Sequence, residues 1–212
     1  MDKLILGLLV LKRLTVYEIR VIIKRNFADM CSDSLGSIQA AVKKLLAAQM
    51  VIFSEYVEKG KNKKRYSITK KGRCEFQKWV QTPAEMTKTK NMELGKLLFM
   101  GIVPAGKRPR LLDETVKKLD EHLANLLELQ SSLSPQKDVK KQAVAYWLSD
   151  PEYRRGILAA AEKADINKCA VDIEHFQLLT LQYGIDNVRF ELEWFKNLRE
   201  KTKKEKMQEK KS

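Results

Sequence analysis

The segment Val51–Gly72, VIFSEYVEKGKNKKRYSITKKG, restricts the fold more than any other stretch of this 212-residue chain. Two short runs rich in β-branched and aromatic residues, Val51–Val57 and Tyr66–Thr69, flank a turn containing Gly60 and Asn62. That pattern predicts a β-hairpin. From Lys59 to Lys71 the basic residues are Lys59, Lys61, Lys63, Lys64, Arg65, Lys70 and Lys71, with no acid among them. A turn of one charge sign gains little by folding alone, whereas a phosphate backbone explains it. Just upstream, a short helix pattern opens on serines and closes on leucines. A helix followed by a basic hairpin is the layout of a winged helix-turn-helix.

The net charge of +14 is unevenly placed. Residues 1–92 hold 19 Lys and Arg against 8 Asp and Glu, residues 93–200 hold 16 against 17, and residues 201–212 hold 6 against 2. This asymmetry points to a nucleic-acid module joined to a near-neutral partner module. The expected division is a winged helix over 1–81, a polar linker over 82–92, a helical dimerisation or effector domain over 93–200, and a flexible basic tail over 201–212. The fold class is mainly α, with one β-hairpin wing.

Local signals fill in the first module. Leu4–Leu11 is apolar and follows a lysine, but it is too short to span a bilayer and no small-residue cleavage site follows. It reads as a buried first helix. Thr15-Val16-Tyr17-Glu18 matches a capping box, so a second helix runs from about Val16 to Asn26 with Ile19, Ile22 and Ile23 inward. Ser34 caps a third helix, whose apolar stripe is Leu35, Ile38, Val42, Leu45 and Leu46. Thr69 caps a fourth, with Phe76, Trp79 and Val80 as its apolar positions.

Beyond the linker, Leu112, Val116, Leu119, Leu123, Leu126, Gln130 and Leu133 alternate steps of four and three. That is a heptad seam of about three repeats. It fits either a coiled-coil-like contact between two copies or a helix packed on its own domain. Helices over 140–148 and 152–164 follow, split by Asp150-Pro151, and then a long one over 168–200 interrupted by Gly184.

In a helix-turn-helix the second helix of the motif enters the major groove, N-terminal residues first. Here that helix begins near Ser34. Ser34 and Ser37 can hydrogen-bond to phosphate or bases, and Gln39 has the side chain to read adenine N6 and N7 together. Lys43 and Lys44, further along, suit phosphate. Lys61, Lys63, Lys64 and Arg65 of the wing should meet the backbone or the minor groove, which positions without reading sequence. Tyr17 is either a phosphate donor at the start of the second helix or a core residue.

Other classes lack support. Cys31, Cys74 and Cys169 are far apart, no CxxC exists, and only His122 and His175 could assist a metal site. No zinc site, other metal site or cofactor is expected. No nucleophile motif, carboxylate pair or Gly-rich phosphate loop suggests an enzyme. The alternative is a winged-helix protein-interaction module without sequence-specific DNA binding.

At this point the residues resemble a known family, the PadR-type transcriptional regulators. The resemblance rests on Leu4–Leu11 followed by Tyr17-Glu18-Ile19, on Ser34-Leu35-Gly36-Ser37-Ile38 leading to Val42-Lys43-Lys44-Leu45, and on Arg65-Tyr66-Ser67-Ile68-Thr69-Lys70-Lys71-Gly72-Arg73 followed by Trp79. In the second half, Leu97-Leu98-Phe99, Thr180-Leu181-Gln182-Tyr183-Gly184-Ile185 and Glu193-Trp194-Phe195 are similar to the helical domain of longer members, which include virulence activators. The family usually has a tyrosine where this chain has Gln39, and glycines where it has Met50 and Val16. The resemblance implies a homodimer that binds a near-palindromic operator in double-stranded DNA, usually as a repressor. Three widely spaced thiols suit a reducing cytosol and the apolar run Leu4–Leu11 is too short for a bilayer, so a cytoplasmic location without a membrane partner is expected. It also implies a response to a small aromatic effector near the dimer interface, where Trp147, Phe176, Tyr183 and Trp194 could line a site.

Overall fold

The computed structural model describes residues 1–27, 30–58, 60–84, 93–133 and 137–209, without the side chains of 137–139 and 205–209. The chain forms two compact units. One comprises Met1–Ala84 with Asp138–Asp172, the other Glu85–Lys137 with Ile173–Ser212.

The first unit opens with α1 (Asp2–Leu11), α2 (Val16–Asn26) and α3 (Leu35–Ala47). The hairpin β1 (Val51–Glu58) and β2 (Lys61–Ile68) follows, then α4 (Lys70–Val80). Each start has a chemical cause. Thr15 accepts from the Glu18 amide at 3.2 Å while the Glu18 carboxylate accepts from the Thr15 amide at 2.7 Å, a reciprocal capping box. Ser34 accepts from the Ser37 amide at 3.2 Å, and Thr69 from the Gly72 amide at 3.1 Å. α3 ends in a Schellman motif: Met50 N–H donates to Leu45 O and Gln49 N–H to Leu46 O, each at 2.9 Å. The left-handed residue this motif requires is Gln49, at φ 56°.

Apolar residues of every element meet in one core. Ile5, Leu6 and Leu9 of α1, Ile19 and Ile23 of α2, and Ile38, Val42 and Leu45 of α3 are buried with Val51, Tyr66 and Ile68 at the hairpin base. Each such aliphatic side chain contributes roughly 1.5–3 kcal/mol by leaving water. Three expected core positions fall elsewhere: Leu35, Trp79 and Val80 are exposed. Leu35 is the first residue of its helix, ahead of the buried stripe that Ile38 begins. Gly72 sits where α4 crosses the hairpin base, and a Cβ there would lie 2.1 Å from the Met50 carbonyl oxygen. Only glycine permits that approach.

The same unit recruits α7 (Lys137–Ser149), α8 (Pro151–Ala161) and the start of α9 (Ile166–Glu209). The sequence places these residues in the second domain; the chain packs them on the winged helix. The reason lies at the C-terminal end of α1, whose carbonyls have no partner within the helix. Trp147 Nε1 donates to Leu11 O at 2.8 Å and Tyr153 Oη to Leu9 O at 3.0 Å. Arg13 pairs with Asp150, which also caps α8 by accepting from the Glu152 and Tyr153 amides. Arg13 and Arg73 both lie over the Tyr153 ring, each 5.0 Å from its centre. The Arg73 Nη1 and Nη2 atoms are buried without a hydrogen-bond partner.

The second unit holds α5 (Leu94–Leu98), α6 (Arg108–Leu133) and α9 from Ile173 onward. α6 starts at Arg108, and Pro109 is accommodated in its first turn, where its missing N–H is harmless. α6 and α9 run antiparallel, with Asp113 near Arg199 (3.5 Å), Asp120 near Lys196 (3.3 Å) and Gln130 donating to Gln182 (3.0 Å). α9 passes Gly184 without a break, and a Cβ there would meet Leu126 at an ordinary 4.0 Å. Where a flexible tail is expected from 201, α9 stays helical to Glu209. Ser134-Pro135, most of the linker over 82–92 and the last three residues lie outside the described residues.

Candidate nucleic-acid interface

The wing is a fully paired antiparallel ladder, from Val51 opposite Ile68 to Glu58 opposite Lys61. Two residues separate the strands, and the one described, Gly60, has φ +72°, a conformation glycine adopts without strain. Leu14 continues the ladder on the other side of β2. It exchanges both backbone hydrogen bonds with Tyr66, at 3.1 and 2.8 Å. The start of α2 is thereby tied to the wing base.

Because side chains alternate along a strand, the register sorts the charges. Lys61, Lys63 and Arg65 share one face with Ser54, Tyr56 and Glu58. Asn62, Lys64 and Tyr66 share the other with Phe53, Glu55 and Val57. On the first face Arg65 stacks on Tyr56 at 4.4 Å, and Lys63 is ion-paired with Glu58. The hydrogen bond and charge of Lys63 hold the Glu58 carboxyl below its ordinary range, and Glu58 in turn raises Lys63. On the second face Lys64 lies over Phe53 at 4.2 Å and 3.5 Å from Glu55. The four wing cations named from sequence are thus divided three to one, and Lys59 lies outside the described residues.

Between the wing and the first turn of α2 lies a cleft of about 410 Å³, lined by residues 15–18 and by Tyr56, Glu58, Lys63, Lys64, Arg65 and Tyr66. Tyr17 stands at this cleft 69% exposed, so its aromatic ring is no part of the core. Tyr66 is the buried tyrosine, as the returning strand requires.

On α3, Ser34, Ser37, Gln39, Lys43 and Lys44 are all exposed, opposite the buried stripe of Ile38, Ala41, Val42 and Leu45. Ser34 and Ser37 already hydrogen-bond each other, hydroxyl to hydroxyl at 2.7 Å. Lys44 pairs with Asp2 of α1 at 2.6 Å. Gln39 and Lys43 occupy the same exposed face.

The remaining sequence candidates separate. Leu112 and Val116 are 2% and 4% exposed within the single chain, so they offer no side-chain surface to a second copy. Leu119, Leu123 and Leu126 are half-buried and Leu133 is exposed. Of the four aromatics, Trp147 is buried, and its indole N–H donates to the Leu11 carbonyl at the end of α1. Phe176, Tyr183 and Trp194 are exposed on α9, and Phe190 joins them at the same seven-residue spacing as Phe176 and Tyr183. Sequence reasoning missed Glu55 and Glu58 because only the register reveals what they face. It missed Tyr56 as a platform for the same reason.

Among the described residues no group of three or more His, Cys, Asp or Glu side chains could hold a metal ion, and no helix is long and apolar enough to cross a membrane.

No protein-family model and no curated protein matches this sequence. Solved structures do. Bacillus subtilis PadR in complex with operator DNA superposes with a TM-score of 0.67 at 18% identity, over 95% of this chain and 98% of that one. The same regulator in complex with p-coumaric acid gives 0.62 at 18%, over 95% and 94%. The Vibrio cholerae virulence activator AphA gives 0.60 at 16%, over 94% and 96%. Near-complete coverage of both chains, wing and helical region together, shows that this chain has the fold of the PadR-type transcriptional regulators.

Proposed function

We propose that the chain is a PadR-type transcriptional regulator: a cytoplasmic repressor that binds a near-palindromic operator in double-stranded DNA as a homodimer. The observation that carries this reading is the sorting of Lys61, Lys63 and Arg65 onto one face of the wing. α3, in the same unit, presents Ser37, Gln39 and Lys43 to solvent. Wing cations supply sequence-independent attraction to phosphate, and Gln39 with the serines supplies the base contacts. Bacillus subtilis PadR, solved with operator DNA, supports the extension to this chain.

Two copies are needed to span successive major grooves about 34–36 Å apart. Because Leu112 and Val116 are used within the chain, we assign the contact between copies to the exposed apolar residues of α9, Phe176, Leu179, Tyr183 and Phe190. A small aromatic effector beside that contact, near Tyr183 and Trp194, would release DNA by favouring a dimer that no longer matches the operator. The structure of Bacillus subtilis PadR with p-coumaric acid supports an effector of this chemical type.

Fluorescence anisotropy tests the reading, with the purified protein titrated onto its own upstream intergenic DNA and onto scrambled DNA at several salt concentrations. A preference of about 10³-fold or more for the upstream DNA is the expected result for an autoregulator. Equal, steeply salt-sensitive binding to both would leave a DNA-binding module whose operator lies elsewhere, and no binding to either would favour the protein-interaction module instead.

A further inference from the structure

Among the described residues Glu58 is the single acid on the basic face of the wing, directly opposite Lys61 and ion-paired with Lys63. A phosphate approaching this face meets a carboxylate between two of the three cations that should receive it. Any phosphate that Lys63 meets must share its charge with Glu58. The pair is exposed on both sides, and such pairs contribute little to folding stability. Its position therefore matters for what the wing binds rather than for how the wing folds. The opposite face supplies the contrast: Glu55 pairs with Lys64 there, beside Phe53, away from Lys61, Lys63 and Arg65.

We propose that Glu58 is a specificity-determining residue that weakens the wing's hold on DNA of any sequence, leaving the contacts of α3 to decide where the protein binds. The inference rests on the DNA-binding reading above. The phosphate term supplies essentially all non-specific binding, and specificity is the ratio of specific to non-specific affinity. An acid that subtracts from the phosphate term lowers the denominator of that ratio. The specific complex also has base contacts, which Glu58 does not touch, whereas the non-specific one depends on the phosphate term alone.

Glu58→Gln and Glu55→Gln raise the net charge equally but on opposite faces, so the pair separates a local effect from a general one. Full-length protein is titrated by anisotropy onto two duplexes of about 30 bp, at salt concentrations from 50 to 200 mM. One duplex has random sequence and the other is enriched from a random library by the wild-type protein. With one more phosphate contact, Glu58→Gln steepens the log–log salt slope on random DNA by about 0.9, roughly a threefold larger loss of affinity across that range. It binds random DNA several-fold more tightly at low salt and narrows the ratio between the two duplexes. Glu55→Gln keeps the wild-type slope and ratio. Thermal unfolding matching wild type certifies both variants as folded. A Glu58→Gln variant indistinguishable from wild type, or a Glu55→Gln variant with the same steepening, overturns the proposal while leaving the DNA-binding reading intact. A wild-type protein that binds neither random nor library DNA overturns that reading first, before any variant is made.

Discussion

Tyr153 Oη donates to the Leu9 carbonyl at 3.0 Å, which closes the C-terminal end of α1 with a side chain 144 residues away. Trp147 does the same for Leu11 from the preceding helix. Tyr153→Phe should lower unfolding stability by about 1 kcal/mol, with a further loss if the Leu9 carbonyl is left dry. Urea unfolding checks this. Burial raises the Tyr153 phenol well above its ordinary range. A folded-state pKa raised in this way favours the folded form fully below the unfolded value of about 10, and the advantage is lost as pH rises beyond it. Stability should therefore fall with pH above about 10, and less steeply in Tyr153→Phe than in wild type.

Gln49 is held at φ 56° by the two hydrogen bonds that end α3. A left-handed conformation strains any residue with a Cβ, and glycine relieves it. Gln49→Gly should stabilise the protein by about 0.5–1 kcal/mol, reduced by glycine's greater freedom in the unfolded chain. A higher urea midpoint at unchanged slope is the expected signature, and a lower midpoint would contradict the strain argument.

The caps at Thr15, Ser34 and Thr69 and the hairpin were legible because each is a local bargain, settled within three or four residues. The buried face of α3 was legible from spacing alone, except at Leu35, which precedes the first full turn. Trp147 and Tyr153 were not legible as helix caps, because their acceptors are backbone carbonyls more than 130 residues away and leave no trace in side-chain chemistry. The heptad seam was ambiguous for a physical reason. Leucine at that spacing packs equally well on a helix of its own chain, as Leu112 and Val116 do. The wing's basic character was plain, but which cation faces which acid depends on register, and only the ladder shows that Glu58 shares a face with Lys63.

The two terminal nitrogens of the Arg73 guanidinium are buried without a hydrogen-bond partner, and the group rests on the Tyr153 ring beside Gly156. Leaving such donors unsatisfied costs about 1–3 kcal/mol. Arg73→Met keeps an unbranched stem for packing and removes the charge, and it should raise the melting temperature. Gly156→Ala places a Cβ 2.7 Å from Arg73 Cζ and must displace the guanidinium. In the Arg73→Met background the same change meets no guanidinium and gains roughly 1 kcal/mol of helix propensity. A double-mutant cycle with no coupling between positions 73 and 156 would contradict this packing.

Removing Lys61, which opposes Glu58 on the basic face, should weaken binding to all sequences alike. Its log–log salt slope should fall by about one unit. Gln39→Ala should instead leave the slope unchanged and reduce discrimination at one base pair by about 1–3 kcal/mol. Competition titrations against single-base variants of the selected duplex distinguish the two. Identical behaviour of both variants would mean that α3 and the wing do not divide the work.

The two-residue connection between Glu58 and Lys61 has an evolutionary corollary. Each side chain's face is fixed by its parity along the strand. One residue inserted into that connection, with the inner pairs from Val51 opposite Ile68 to Phe53 opposite Tyr66 kept, would leave Lys63, Lys64 and Arg65 where they are and enlarge the loop. One residue inserted between Arg65 and Tyr66 would carry Lys61, Lys63 and Arg65 together to the side of Phe53 and Glu55, and bring Lys64 and Asn62 to the side of Glu58. A single codon gained at that point re-addresses the whole set of cations at once. On the reading proposed above, length as well as substitution can therefore change what the wing meets, a route that position-by-position comparison of aligned residues does not detect.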